Sequence, residues 1–262
     1  MKTAIAILAV STTMSLSSAG NGQTTPTIPS PDPFIDAIET MKHSVAALLC
    51  VATDSAKSTL LARRGTVFFV SAAGEFLTAG HVILDMQKGD PPCPVPAIVL
   101  PVERWQPGVP DEPVAWFSFK IANCAIDRER DVAACPLTDD LSKPISRLAF
   151  KIVPVKFEWN TPPDGAQVAF TGFPMNARDP MTFRADVAAY RPVWRNEKVI
   201  AEVLLDRAAW PGSSGSPVFL SDGGVIGILI AARTEEGTAM TSLRPISAVR
   251  DLLTAAYRSG KK

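Results

Sequence analysis

The chain is predicted to be all-β, made of many short antiparallel strands arranged in barrels or sandwiches. Three observations carry that prediction. Runs rich in Val, Ile, Phe and Leu recur from Val45 to Leu243, each bounded by turn residues. Twenty-three prolines and sixteen glycines in 262 residues interrupt the chain too often for a helical bundle or for alternating βαβ units. Helical periodicity is confined to the two ends of the folded region.

Residues 1–19 read as an export signal: Lys2 supplies a positive start, Thr3 to Val10 an apolar core, and Ser17-Ser18-Ala19 a small-residue cleavage site. That apolar run is too short to span a bilayer, and no later segment is long enough either, so stable membrane insertion is not expected. Residues 20–33 hold Thr, Pro, Ser and Gly with little to bury and are expected to form a flexible leader. Residues 34–143 read as an N-terminal helix and a first β unit, and residues 144–262 as a second β unit and a C-terminal helix.

Phe34, Ile35, Ile38 and Met41 recur at helical spacing, with Asp32 near the start of that helix. Predicted strands of the first unit are Val45–Ala52, Thr66–Ser71, Phe76–Ala79, Ala97–Val102, Trp116–Ala122 and Val132–Leu137. Those of the second are Ser146–Ile152, Gln167–Gly172, Arg184–Val193, Val199–Leu205, Val218–Leu220, Val225–Ala232 and Thr238–Leu243. Ile246, Val249, Leu252, Leu253 and Ala256 then return to the helical period.

Lys plus Arg equals Asp plus Glu, 26 each, so no electrostatic footprint for nucleic acid is present. The arginines at 178, 184, 191, 195 and 207 alternate along predicted strands and read as a solvated face. Cys50, Cys93, Cys124 and Cys135 form an even set, which in an exported protein permits two disulfides in three connectivities. Cys50 and Cys135 lie in apolar runs and could equally be buried thiols. With two histidines and no C-x-x-C pair, neither a metal site nor a cofactor is expected.

The chemistry concentrates in Pro211-Gly212-Ser213-Ser214-Gly215-Ser216-Pro217, a serine on a glycine-rich turn running into a buried strand. Such a turn aims backbone N–H groups at one point beside the hydroxyl, where oxyanion charge develops in acyl transfer. The serine then needs a base, and only His43 and His81 are available. His81, in Thr78-Ala79-Gly80-His81-Val82, stands at a strand end where small neighbours admit other groups; His43 has no such setting. Asp131, at the mouth of the strand Val132-Ala133-Ala134, is the acid suited to orient the ring, with Asp127 a nearby decoy in a hairpin turn.

The order His81, Asp131, Ser214 and the three motifs around them resemble bacterial trypsin-like (chymotrypsin-fold) serine proteases, near the HtrA-type and glutamyl-endopeptidase-like branches. Asp206 to Pro217 resembles the stretch around the HtrA nucleophile, Val225-Ile226-Gly227-Ile228 the strand after it, and Thr171-Gly172-Phe173-Pro174 a second-barrel strand. The likeness covers about residues 40–258. It implies two six-stranded antiparallel β-barrels, a catalytic cleft between them, an oxyanion hole from the N–H groups of Gly212 and Ser214, and protein or peptide substrates. A PDZ domain is not expected, since a helix and a short basic tail follow the last strand. Ser213 stands where pancreatic enzymes carry the aspartate of their activation switch, so that switch is not expected.

By the same resemblance Ala208 and Ala209 would floor the primary pocket, and Ile230 and Ala231 would line its wall. No carboxylate falls there, which argues against Arg or Lys preference. Leu229 or Ile230 stands near the position of the histidine that reads glutamate in glutamyl endopeptidases, so small or medium apolar side chains are expected. An α/β-hydrolase is excluded because no histidine follows Ser214. The remaining rival is a non-catalytic binding protein that keeps the barrel fold.

Overall fold

The computed structural model describes residues 32–54, 57–89, 92–100, 116–142, 152–195, 197–235 and 238–253. The export signal and most of the leader therefore lie outside the described residues, as do nearly all of the strand expected over Ser146–Ile152 and the end of the C-terminal helix. Helix α1 (Ile35–Lys42) opens the fold. Asp32 Oδ1 accepts the Phe34 N–H at 3.0 Å, satisfying a donor that a helix start leaves without a partner. Phe34, Ala37 and Met41, at i, i+3 and i+7, form the buried stripe. Ile35, expected on that face, is 52% exposed because the stripe centred on Phe34 turns it outward.

The first sheet contains β1 (Val45–Asp54), β2 (Lys57–Phe69) and β3 (Phe76–Ala79), then β4 (Val95–Val99), β5 (Trp116–Ser118), β6 (Ala125–Asp127) and β7 (Val132–Cys135). Helix α2 (Gly80–Lys88) interrupts it directly after β3. The strand order is β5-β4-β1-β2-β3-β7-β6, and a Phe119–Leu137 bridge brings the chain after β5 against the chain after β7. The described pairings of this sheet are all antiparallel.

The second sheet contains β8 (Lys156–Phe157), β9 (Gln167–Gly172), β10 (Met181–Arg195), β11 (Lys198–Leu205), β12 (Pro217–Phe219), β13 (Gly224–Glu235) and β14 (Thr238–Pro245). Strands β12-β9-β10-β11-β14-β13 close on themselves through β12–β13, a ring of six antiparallel strands. Strand β8 adds to β13 in parallel. The six expected strands of the first unit and six of the seven expected in the second are strands among the described residues, Ser146–Ile152 being the one that lies nearly all outside them, and the short β6 and β8 are additions. A half-barrel of seven strands beside a closed ring of six, where two six-stranded barrels were expected, is a chymotrypsin-like double-barrel architecture. After β14 the chain makes a 3-10 turn (Ile246–Val249) and is helical over 250–253, where the described residues stop.

The central strands of the first sheet are buried on both faces: consecutive residues of β1, β2 and β3 form a core with α1 and α2, and that core continues into Phe219, Val225 and Ile228 of the second sheet. Phe34 meets Phe219 at 6.5 Å between ring centroids, which seats α1 on the second sheet. A separate core of Val168, Phe170, Val187, Val203, Leu205 and Leu243 fills the second ring.

Two disulfides select one of the three connectivities: Cys50 with Cys93 and Cys124 with Cys135. Both belong to the first sheet and its connections. No described helix is long and apolar enough to cross a membrane.

Candidate active site

Strand β3 ends at Ala79, and α2 starts at once, so His81 occupies the first turn of a helix. Gly80 makes room for the turn that carries Asp131. A Cβ there would lie 2.9 Å from the Val132 nitrogen and 3.2 Å from Asp131 Oδ1. The bare backbone lets the β6–β7 turn close onto α2, where the Gly80 N–H donates to the Asp131 carbonyl at 2.9 Å. Asp127, the expected decoy, builds that turn: its Oδ1 accepts the N–H groups of Glu129 (3.0 Å) and Arg130 (2.8 Å). Asp131 closes it with φ +58°, an uncommon conformation for a residue other than glycine.

The Asp131 carboxylate grips His81 twice. Oδ1 accepts the His81 backbone N–H at 2.6 Å, and Oδ2 accepts from ring Nδ1 at 2.9 Å. A carboxylate only accepts, so the proton sits on Nδ1 and the lone pair of the neutral ring on Nε2. Burial lowers the affinity of this imidazole for a proton. The Asp131 hydrogen bond and charge, with the charge of Asp85, outweigh it and hold the pKa above the ordinary histidine value.

Arg244, on β14, is 1% exposed. Its Nε donates to the Arg130 carbonyl at 2.8 Å and its Nη1 to the Ala201 carbonyl at 2.6 Å, so it ties the turn bearing Asp131 to the second sheet. Burial pushes its pKa down, and the charges of Glu202, Asp131 and Asp127 oppose that fall. A strand arginine reads as solvated from sequence, and nothing in its neighbours marks this one as buried.

Ser214 lies between Gly212 (φ +93°) and Gly215 (φ +89°). Its hydroxyl donates to the Ile230 carbonyl at 3.2 Å. Each peptide of the turn has a defined direction. The Pro211 carbonyl accepts the Met175 N–H at 2.7 Å, and the Ser213 carbonyl accepts the Ser216 N–H at 3.0 Å. A trans peptide points its N–H opposite its C=O, so these two bonds turn the Gly212 and Ser214 N–H groups the other way. Among the described residues neither N–H has a protein acceptor, whereas those of Ser213 and Gly215 donate to Trp210 and Leu229.

His81 and Ser214 line one cavity of about 380 Å³. Ala209, Leu229, Ile230 and Ala231 supply its apolar wall, with Trp210 and Pro211 also lining it. Of the four expected pocket residues, Ala209, Ile230 and Ala231 line this cavity and Ala208 does not. Among the described residues no carboxylate, lysine or arginine lines it. His43 lies elsewhere in the fold, at the end of α1, where its N–H donates to the Thr40 carbonyl. Two of the arginines expected on a solvated face are paired, Arg184 with Asp32 and Arg191 with Glu202.

Solved structures with this fold include the Rv3671c protease of M. tuberculosis in its active form. That structure is 18% identical, with a TM-score of 0.60, over 94% of this chain and 93% of that one. A serine-to-alanine mutant of the same protease, in an inactive form, is 15% identical with a TM-score of 0.59. It matches over 87% of this chain and 95% of the other. No functionally described protein matches the chain by sequence. Residues 65–228, more than half of the chain, match the trypsin-like peptidase domain. The chain belongs to that family and is a serine peptidase.

Proposed function

We propose that the protein is an exported serine endopeptidase in which His81, Asp131 and Ser214 act as the triad. The observation that carries this reading is the shared cavity: His81, oriented by Asp131 through Nδ1, opens onto the same space as Ser214. In the reaction the Ser214 hydroxyl turns from the Ile230 carbonyl to His81 Nε2 and attacks the scissile carbonyl. The serine proton passes to Nε2, and the carbonyl oxygen becomes an oxyanion facing the Gly212 and Ser214 N–H groups. Collapse breaks the C–N bond, His81 returns the proton to the departing amine, and an acyl-enzyme remains on Oγ. Water, deprotonated by the same imidazole, then releases the acid and restores Ser214.

The apolar cavity supports a preference for small or medium apolar side chains before the scissile bond. Export is supported by the N-terminal 19 residues and by two disulfides, which form and persist in oxidising compartments. Ser214→Ala is expected to abolish labelling by a fluorophosphonate probe and to cut turnover by about 10⁶-fold. Retained labelling in that variant would place the nucleophile elsewhere. In a peptide library, cleavage confined to bonds after Glu or Asp would overturn the specificity reading and leave the triad standing.

A further inference from the structure

We infer that the Thr66 hydroxyl, contributed by the first sheet, positions the oxyanion donors of the turn in the second. The inference deepens the proposed function and rests on the reading that Ser214 is the nucleophile with Gly212 and Ser214 N–H as oxyanion donors.

Thr66 is fully buried, and each of its polar groups is engaged at or beneath that turn. Its N–H donates to the Ser214 carbonyl at 2.9 Å. Its Oγ1 donates to the Gly212 carbonyl at 3.0 Å and accepts the Phe173 N–H at 3.0 Å. Its own carbonyl accepts from Thr78 Oγ1 at 2.7 Å, and Thr78 lies on β3, three residues before His81. The four bonds do different things. The two to Ser214 and Gly212 set the peptides that alternate with the oxyanion peptides, so each donor peptide is flanked by a plane that Thr66 holds in place. The bond to Phe173 holds the chain just before Met175, whose N–H anchors the Pro211 carbonyl. Gly212 N–H is thereby fixed from both sides, by the carbonyl before it and the carbonyl after it.

A hydroxyl is needed here because one atom must both donate and accept. Valine has the same shape and does neither; serine does both without the methyl. Thr66 touches no reacting atom. Its effect belongs to the step in which charge develops, so it falls on kcat and leaves ground-state binding alone.

The experiment compares Thr66→Val, Thr66→Ala and Thr66→Ser in the mature protein on one peptide amide substrate. A peptidyl boronate, whose tetrahedral adduct places an oxygen in the hole, serves as a second probe. Losing one oxyanion donor costs about 10²–10³-fold in rate, so a misaimed donor in Thr66→Val is expected to lower kcat by about 10–100-fold with KM within about twofold. Boronate affinity should fall by the same factor, and Thr66→Ser should recover kcat to within about threefold of the parent. If Thr66→Val does not melt cooperatively, the Ser and Ala variants decide: Ser at least about tenfold faster than Ala supports the inference, and equal rates overturn it. Unchanged kcat in a folded Thr66→Val also overturns it, as does loss of the cooperative melt in all three variants, which would make Thr66 only structural. Ser214→Ala separates the two readings. If it stays active the triad fails; if it is dead while Thr66→Val turns over normally, only the role of Thr66 fails.

Discussion

The two sheets hold the members of the proposed triad by different means. The first carries His81 and Asp131 and is braced covalently: Cys93, beyond α2, is bonded to Cys50 of β1, and Cys124–Cys135 closes the hairpin whose turn presents Asp131. The second carries Ser214 on a turn with no covalent brace. That turn is held by backbone hydrogen bonds, two positive-φ glycines and a threonine borrowed from the other sheet. The contrast reflects the needs of each group. The imidazole and its carboxylate must keep one mutual orientation, which a staple protects. As a proposed oxyanion hole, the serine turn must expose two N–H groups and satisfy every other one, and only a specific set of partners does that.

Removing the staples tests the first half of the contrast and carries the largest expected effect. In the chain-entropy account, the bond across 43 residues contributes about 4 kcal/mol and the bond across 11 about 3 kcal/mol. Denaturant unfolding of Cys50→Ala/Cys93→Ala and of Cys124→Ala/Cys135→Ala should show losses in that order. The second pair should also lower turnover, because its hairpin bears Asp131. Normal activity in a folded Cys124→Ala/Cys135→Ala protein would show that hydrogen bonding alone holds the acid.

The matching change in the second sheet is Gly212→Ala. At φ +93° an L side chain is strained, and the new Cβ would lie 2.5 Å from the Phe173 carbonyl oxygen. The peptide must rotate, taking its N–H out of the hole, and kcat should fall by about 10²–10³-fold, roughly 3–4 kcal/mol. Stability should fall less than in the Cys50/Cys93 pair. A loss confined to KM would show that Gly212 shapes the pocket and not the hole.

The same division governs what sequence alone reveals. Strands such as Phe76–Ala79 and Gln167–Gly172 are legible because apolar runs end at turn residues. Helix α2 is not, although Val82, Ile83 and Met86 form its buried face, because Gly80-His81 after a strand reads as a strand end. The first half of β2 owes its form to pairing with β1, a tertiary preference that its own residues do not announce. His81, Asp131 and Ser214 are legible because two histidines leave little choice and each motif is local. Thr66 is not: its partner Gly212 lies 146 residues away, and no local pattern tells a threonine that supports a turn from one that fills a strand.

Arg244 sharpens the comparison because it belongs to the second sheet and holds the acid of the first. Arg244→Met removes a buried charge, which helps, and leaves the Arg130 and Ala201 carbonyls without donors, at about 1–3 kcal/mol each. A net loss of about 2 kcal/mol in unfolding free energy is expected, together with a kcat loss through the Asp131 turn. Full stability with reduced kcat would mean that the guanidinium serves only the acid; the reverse would make it a strut between the sheets.

The smallest effect concerns protons and isolates the first sheet. In the fold His81 binds its proton more tightly than an ordinary histidine, since Asp131 and Asp85 outweigh its burial. The folded chain therefore gains stability from the protonated ring. That gain is fully present below the unfolded value of 6.5 and is lost as pH rises through the folded value. In the proposed mechanism catalysis runs the other way, because a base must be neutral to accept the Ser214 proton. The acid limb of kcat/KM should accordingly lie above 6.5, while the melting temperature declines across the same interval. Nuclear magnetic resonance titration of His81 in the Ser214→Ala background should give that raised value directly. Adding Gly212→Ala, in the second sheet, should leave it in place, and adding Asp131→Asn should bring it down. A titration that moved with Gly212 and ignored Asp131 would mean that the imidazole answers to the serine turn and not to its own stapled hairpin.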